Sequence, residues 1–261
     1  MNTRKMENRI ESEILELTSY TGKLILQNGG EVYRAEDVIC RVGRHYGYEI
    51  ETFVTLTCIV VSVKGRDSQY QSLVTRVTER SWNLNKVHKA NKLIREIDKY
   101  TFEEFYEKMR KIDKSFYIEL YRYIIGFVFV AMFIGLLFGG GFNEAIIGGI
   151  GGLIAGIVTY LMGKVGLNGV MVNLAGSIIC TGVACIGTYL GYTEKTSTII
   201  IASLMNLVPG LVFVNAIRDF VAGDLIAGSS RLMEALMIAT SLAIGAGFII
   251  TCYTALGGVI Y

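Results

Sequence analysis

Two kinds of hydrophobic pattern divide the chain. Up to about residue 118, apolar positions recur at helix or strand spacing among charged residues; from about 123 they fill runs long enough to cross a bilayer. In 10–28, Ile10, Ile14, Leu17, Thr21 and Leu24 share one helical face, and Asn28-Gly29-Gly30 ends the helix. A second helix over 31–46 turns Ala35, Val38, Ile39, Val42 and Tyr46 inward and stops at Gly47. The β-branched stretch 48–63 is long for one strand, so it predicts two strands or one bent one, closing at Lys64-Gly65-Arg66-Asp67. Residues 72–78 predict a third strand. Asn83 caps a helix through about 97, and Thr101 with Glu104 makes a capping box that opens a helix carrying Phe102, Phe105, Met109 and Ile112. Five membrane spans follow, at about 123–140, 145–162, 170–189, 198–220 and 232–256. The expected fold is an α+β cytoplasmic domain at 1–118 and an all-α five-helix transmembrane bundle at 119–261.

Charge sharpens that division. Residues 1–122 hold 21 of the 25 Lys+Arg and 18 of the 23 Asp+Glu. The polar opening MNTRKMENRIESE has no signal-peptide pattern, which predicts a first domain that stays in the cytoplasm. Lys164, Arg218 and Arg231 border links on that same side, whereas the other side has Glu144 and the pair Glu194-Lys195. The expectation is a multi-pass protein of the cell (inner) membrane, with a cytoplasmic N-terminus and an external C-terminus. Scattered, balanced charges form no nucleic-acid stripe. Five cysteines show no CxxC or disulfide-like spacing, and His45 and His88 have no partner at metal-ligand spacing. No GxSxG or phosphate-binding loop occurs. No catalytic residue, metal or cofactor is expected.

Candidate chemistry gathers around the single proline. Pro209 removes a backbone donor inside an apolar run, and Gly210 follows it. Asn206 precedes the break; Asn215, Arg218, Asp219, Asp224 and Arg231 come after it. Ionised groups in or beside a span tend to face a bundle interior or a wet path. These eight residues are therefore the candidate substrate or proton pathway. The alternative is a packing kink with Arg218 and Asp219 at the headgroups and Arg231 as a positive-inside anchor. Asn173, Ser177 and Glu234 are secondary candidates. Gly148, Gly152 and Gly156 form a side-chain-free column suited to helix packing, and 24 of the 30 glycines follow residue 122.

The run Val208-Pro209-Gly210, Asn215-Ala216-Ile217-Arg218-Asp219, Ala222-Gly223-Asp224, Gly228 and Arg231-Leu232 resembles the signature of the threonine/serine exporter (ThrE) family. Leu26-Gln27-Asn28-Gly29-Gly30-Glu31, Arg34, Gly47, the 55–62 strand, Asn83-Leu84 and Asn91 agree with it too. The resemblance implies a cytoplasmic domain and one set of spans where a fused exporter has two. By that likeness the chain is similar to the larger, YjjP-like subunit of the split form. That implies a small membrane partner subunit, a homo- or hetero-oligomer in the lipid bilayer, and export of a small polar metabolite, either threonine and serine or C4-dicarboxylates such as succinate. The other readings are a membrane-anchored cytoplasmic enzyme and a regulatory or scaffolding subunit of a transporter.

Overall fold

The computed structural model describes residues 2–65, 69–78, 81–115 and 120–259, with residues 2–9 described by backbone only. Arg66 and Asp67 of the expected turn, and the expected domain boundary at 118/119, lie outside the described residues. The chain is mostly helical, with one three-stranded sheet near its N-terminus and several apolar helices. It forms two compact units. One joins Met1–Phe116 to Phe213–Leu232; the other joins Tyr117–Val212 to Met233–Tyr261.

In the first unit, α1 (Asn2–Gln27) and α2 (Val32–His45) form a hairpin on one face of the sheet β1 (Ile50–Val54), β2 (Cys58–Lys64) and β3 (Tyr70–Arg76). The strands are antiparallel in sequence order, with Phe53 opposite Val60 and Val60 opposite Val74. Thus 48–63 is two strands, because Thr55 turns the chain: its N–H donates to the Cys58 carbonyl at 2.8 Å. Alternation does the rest, burying Ile59, Val61 and Val63 beneath the helices. Asn83 caps α3 (Leu84–Arg95), accepting from the Lys86 N–H, and Thr101 with Glu104 closes the capping box of α4 (Phe102–Lys114). Phe105 and Met109 of α4 join Leu17, Leu24, Ile25 and Ile39 in a single core. Each such burial is worth about 1.5–3 kcal/mol. Val54, at the edge of β1, donates its N–H to Glu36 Oε1 at 3.0 Å, so this edge donor is occupied.

In the second unit, α5 (Leu120–Leu137), α6 (Phe142–Lys164), α7 (Gly169–Tyr189) and the short α8 (Thr196–Leu204) pack in pairs. The glycine column of α6 lies against α5: a Cβ on Gly152 would stand 2.6 Å from the Phe127 carbonyl oxygen, and one on Gly156 3.1 Å from Phe127 Cβ. Backbone contact this close is open only to residues without a side chain. Gly245 approaches Ser177 of α7 in the same way.

The fourth expected span is corrected. Residues 198–220 are not one kinked helix: α8 ends at Leu204, Met205–Pro209 are non-helical, and α9 (Gly210–Val221) starts anew. Pro209 has no N–H for the carbonyl four residues back, and its ring disfavours helical backbone just before it. Among the described residues, four helices are long and apolar enough to cross a membrane: α5, α6, α7 and α10 (Leu225–Ala255). At 31 residues α10 is about 46 Å long, some ten residues more than a hydrocarbon core of about 30 Å requires. Its first eight residues, through Leu232, belong to the first unit.

Candidate functional site

The first unit gathers its polar chemistry on one tight turn. Helix α1 ends in a Schellman motif: the Gly29 N–H donates to the Leu26 carbonyl at 3.3 Å, and the Gly30 N–H to that of Ile25 at 3.0 Å. Gly29 carries the positive φ of +90° that this ending requires, and the ring of Trp82 lies where a side chain would sit. Asn28 stiffens the turn. Its Nδ2 donates to the Leu24 carbonyl at 2.8 Å, and its Oδ1 accepts from Ser81 Oγ at 3.3 Å. Two glycine carbonyls, the Val32 N–H and the Glu31 carboxylate are left pointing at whatever covers the turn.

What covers it is the end of α9 and the start of α10. Asn215 Nδ2 donates to the Gly29 carbonyl at 3.1 Å, and Arg231 Nη2 to the Gly30 carbonyl at 2.7 Å. Asp219 Oδ1 accepts from the Val32 N–H at 3.2 Å, at the dipole-positive start of α2. Arg218 Nη1 donates to Glu31 Oε1 at 2.7 Å, while Arg34 Nε lies 3.1 Å from Glu31 Oε2. Asp219 Oδ2 and Arg231 Nε pair at 2.8 Å. Asp219 is fully buried and Arg231 is 3% exposed. Such a pair survives burial only when further hydrogen bonds satisfy both ions, which here come from the turn. Asn215, Arg218 and Asp219 stand at i, i+3 and i+4, one face of α9.

The α9–α10 corner is itself rigid. It repeats the Schellman pattern, with Gly223 N–H to the Phe220 carbonyl at 3.0 Å and Asp224 N–H to that of Asp219 at 2.9 Å. Gly223 has φ +91°. Asp224 caps α10 by accepting from the Ala227 N–H at 3.0 Å, and Phe220 fills the space beside Gly228. Asp224 also bears on Glu36. Burial pushes the Glu36 carboxyl above the ordinary carboxylate range; the Val54 N–H opposes that rise, and Asp224 adds to it.

The other candidates lie apart from this cluster. Asn206, in the break between α8 and α9, donates to the Phe127 carbonyl of α5 at 3.0 Å. Gly210 opens α9 with nothing near the place of a side chain. Asn173 and Ser177 turn back onto α7 itself, bonding the carbonyls of Gly169 and Leu174. Glu234 is half-buried on α10, within the second unit. The sequence reading passed over Glu144, noted only as a charge on the far side. It is 8% exposed, accepts from the Gly141 N–H and from Thr193 Oγ1, each at 2.5 Å, and so ties the start of α6 to the loop before α8. The acid three residues after Gly141 was the available signal, since a carboxylate there reaches back to its own helix start. Among the described residues no group of His, Cys, Asp or Glu could hold a metal ion.

The ThrE family model, described as "Putative threonine/serine exporter", matches residues 16–253. The chain belongs to this exporter family. Its members are transporters and not enzymes. The chain is also similar to the "Threonine/serine exporter" of Corynebacterium glutamicum, 24% identical over 246 residues that cover 90% of this chain and 50% of that protein. The chain thus spans about half the length of the curated relative it matches. No solved structure matches it. The two stretches that resemble the exporter signature meet in the structure: Gly29, Gly30 and Glu31 are partners of Asn215, Arg231 and Arg218, 186 to 201 residues away.

Proposed function

We propose that this chain is one membrane subunit of a secondary exporter that moves a small polar metabolite out of the cytoplasm, with a second, small membrane subunit completing the path. The observation that carries the exporter reading is the family match over residues 16–253. Threonine and serine are the first cargo to test, from that relative's name; C4-dicarboxylates such as succinate are the other.

The topology we propose rests on charge and chain order. The first unit, rich in Lys and Arg, is cytoplasmic, and α5, α6 and α7 make three crossings. Phe213–Leu232 belongs to the cytoplasmic unit, so residues 190–212 return the chain, with α8 and the Met205–Pro209 break as the fourth crossing. Helix α10 then leaves again and puts the C-terminus outside. A broken crossing suits a transport path, because non-helical backbone within a membrane is tolerated only in protein or beside water. Asn206 and Pro209 in this break, and Gly210 just after it, are the residues that meet the cargo.

Efflux of labelled threonine, serine and succinate from cells carrying this chain, its small partner, or both is the test. Export of at least one cargo only when both are present is the expected result. No export of any of the three with both present refutes the exporter reading. Full export by the partner alone leaves this chain a scaffold.

A further inference from the structure

We propose that the Asn28–Val32 turn and the set Asn215, Arg218, Asp219 and Arg231 form a latch that positions the start of α10, and that Asp219 and Arg231 act in export as positioning residues and not as cargo ligands. The proposal rests on the exporter reading for its second half only.

Three observations lead there. First, the buried pair is held by the protein itself: Asp219 Oδ1 accepts from the Val32 N–H, Arg231 Nη2 donates to the Gly30 carbonyl, and Asp219 Oδ2 and Arg231 Nε face each other at 2.8 Å as an ion pair. A cargo carboxylate or ammonium would have to displace partners that nothing else replaces, leaving an ion buried and unpaired. Second, both surfaces are tightly turned corners. Each is a Schellman corner around a positive-φ glycine, Gly29 or Gly223, and each is filled by an aromatic ring, Trp82 or Phe220. Such surfaces dock as pieces, which suits a two-position latch better than a pliable binding site. Third, α10 is a single unbroken helix whose first turns lie in the latch and whose remainder is an apolar span. Arg231 therefore sits on the same continuous helix as that span.

Arg218 differs in kind. Its side chain is 57% exposed at the rim, facing a Glu31 side chain that is 6% exposed. It strengthens the latch from outside, where the ion pair is screened.

The test uses the full chain in detergent and, for transport, cells that also carry the partner. Asp219→Asn and Arg231→Gln are compared with wild type by amide hydrogen exchange at 29–33 and by acrylamide quenching of Trp82, the only tryptophan. Both variants are expected to exchange at least about tenfold faster at those amides and to expose Trp82 more, the scale of losing a charge-assisted bond. Maximal efflux is expected to fall for every cargo alike, with KM moving less than about twofold. Should either variant fail to fold, Asn215→Ala, which loses only the bond to the Gly29 carbonyl, makes the same comparison with a smaller change. Exchange unchanged at 29–33 overturns the proposal. So does normal efflux from a variant whose latch has loosened, or a KM shift confined to one cargo. Exchange and quenching need no cargo, so a wild-type chain that exports nothing sinks the exporter reading while these two readouts still decide the latch.

Discussion

Replacing Gly30 by alanine adds one methyl group at the point where the Asn28–Val32 turn meets Arg231 at the start of α10. Its Cβ would stand 2.5 Å from Ile25 Cγ2, 2.8 Å from the Ile25 carbonyl oxygen and 3.3 Å from the carbonyl carbon. Ile25 is fully buried, so it has no room to yield outward. That carbonyl also accepts the Gly30 N–H, so relieving the clash stretches the bond that closes α1. Overpacking of this kind costs about 1–3 kcal/mol, and the weakened hydrogen bond adds about 0.5–1.5. The total is about 1.5–4.5 kcal/mol, or roughly 5–16 °C in Tm for a unit of this size. The effect reaches the latch because the Gly30 carbonyl holds Arg231. Thermal unfolding of the purified full chain, followed by Trp82 emission, reads the turn directly, since that ring covers Gly29. Gly47→Ala is the control, with a positive φ of +80° but no atom near the new methyl group. Backbone strain alone should cost it about 1–2 kcal/mol. If Gly30→Ala melts within about 2 °C of wild type, or no lower than Gly47→Ala, the tight docking at this turn is refuted.

Three further outcomes follow from the same geometry. Asp219→Ala and Arg231→Ala should each destabilise the first unit by about 3–5 kcal/mol, and the double variant by clearly less than their sum; additive losses in a thermal or urea cycle would deny the pair. Glu36→Gln should melt above wild type at pH 7. The folded carboxyl titrates above its unfolded value, so charging it opposes folding, and the advantage should fade as pH drops through the raised pKa towards the ordinary carboxylate range; a gain that grows on acidification reverses the sign. In the second unit, Gly152→Ala should lower thermal stability in detergent by about 1–3 kcal/mol, because its methyl group meets the Phe127 carbonyl, whereas Gly163→Ala, with open space, should leave stability unchanged.

Where a residue's partner lies within a few positions, the sequence was readable. Asn83 and Thr101 cap the helices their spacing announced, and the 48–63 stretch resolves into two strands because Thr55 bonds across its own turn. The composition of 123–162 and 170–189 likewise revealed three apolar helices. The fourth run was only half readable: Pro209 announced a missing N–H within 198–220, but hydropathy, which counts side chains, does not show that the helix stops at Leu204 and restarts at Gly210. The latch was unreadable for another reason. Periodicity tells which face of α9 carries Asn215, Arg218 and Asp219, but Asn215, Asp219 and, on α10, Arg231 meet main-chain atoms of Gly29, Val32 and Gly30, and a carbonyl or an amide leaves no mark in composition.

That outcome changes how charge beside an apolar helix is to be weighed here. An Asp or Arg near a span suggests transport because burying an ion without purpose is costly. In this chain part of the cost is met locally: Asp219 and Arg231 oppose each other's charge, and the turn supplies the Val32 N–H to Asp219 and the Gly30 carbonyl to Arg231. The ions need no cargo to account for their burial. Asn206 is the reverse case, a neutral amide in a break where helical bonding fails, reaching to a carbonyl of α5 that Gly152 leaves uncovered. A neutral group with one such bond gives it up far more cheaply than a buried ion pair. If cargo makes polar contacts in this subunit, the physical cost of exchanging partners favours the Met205–Pro209 break over the charged corner that first draws the eye.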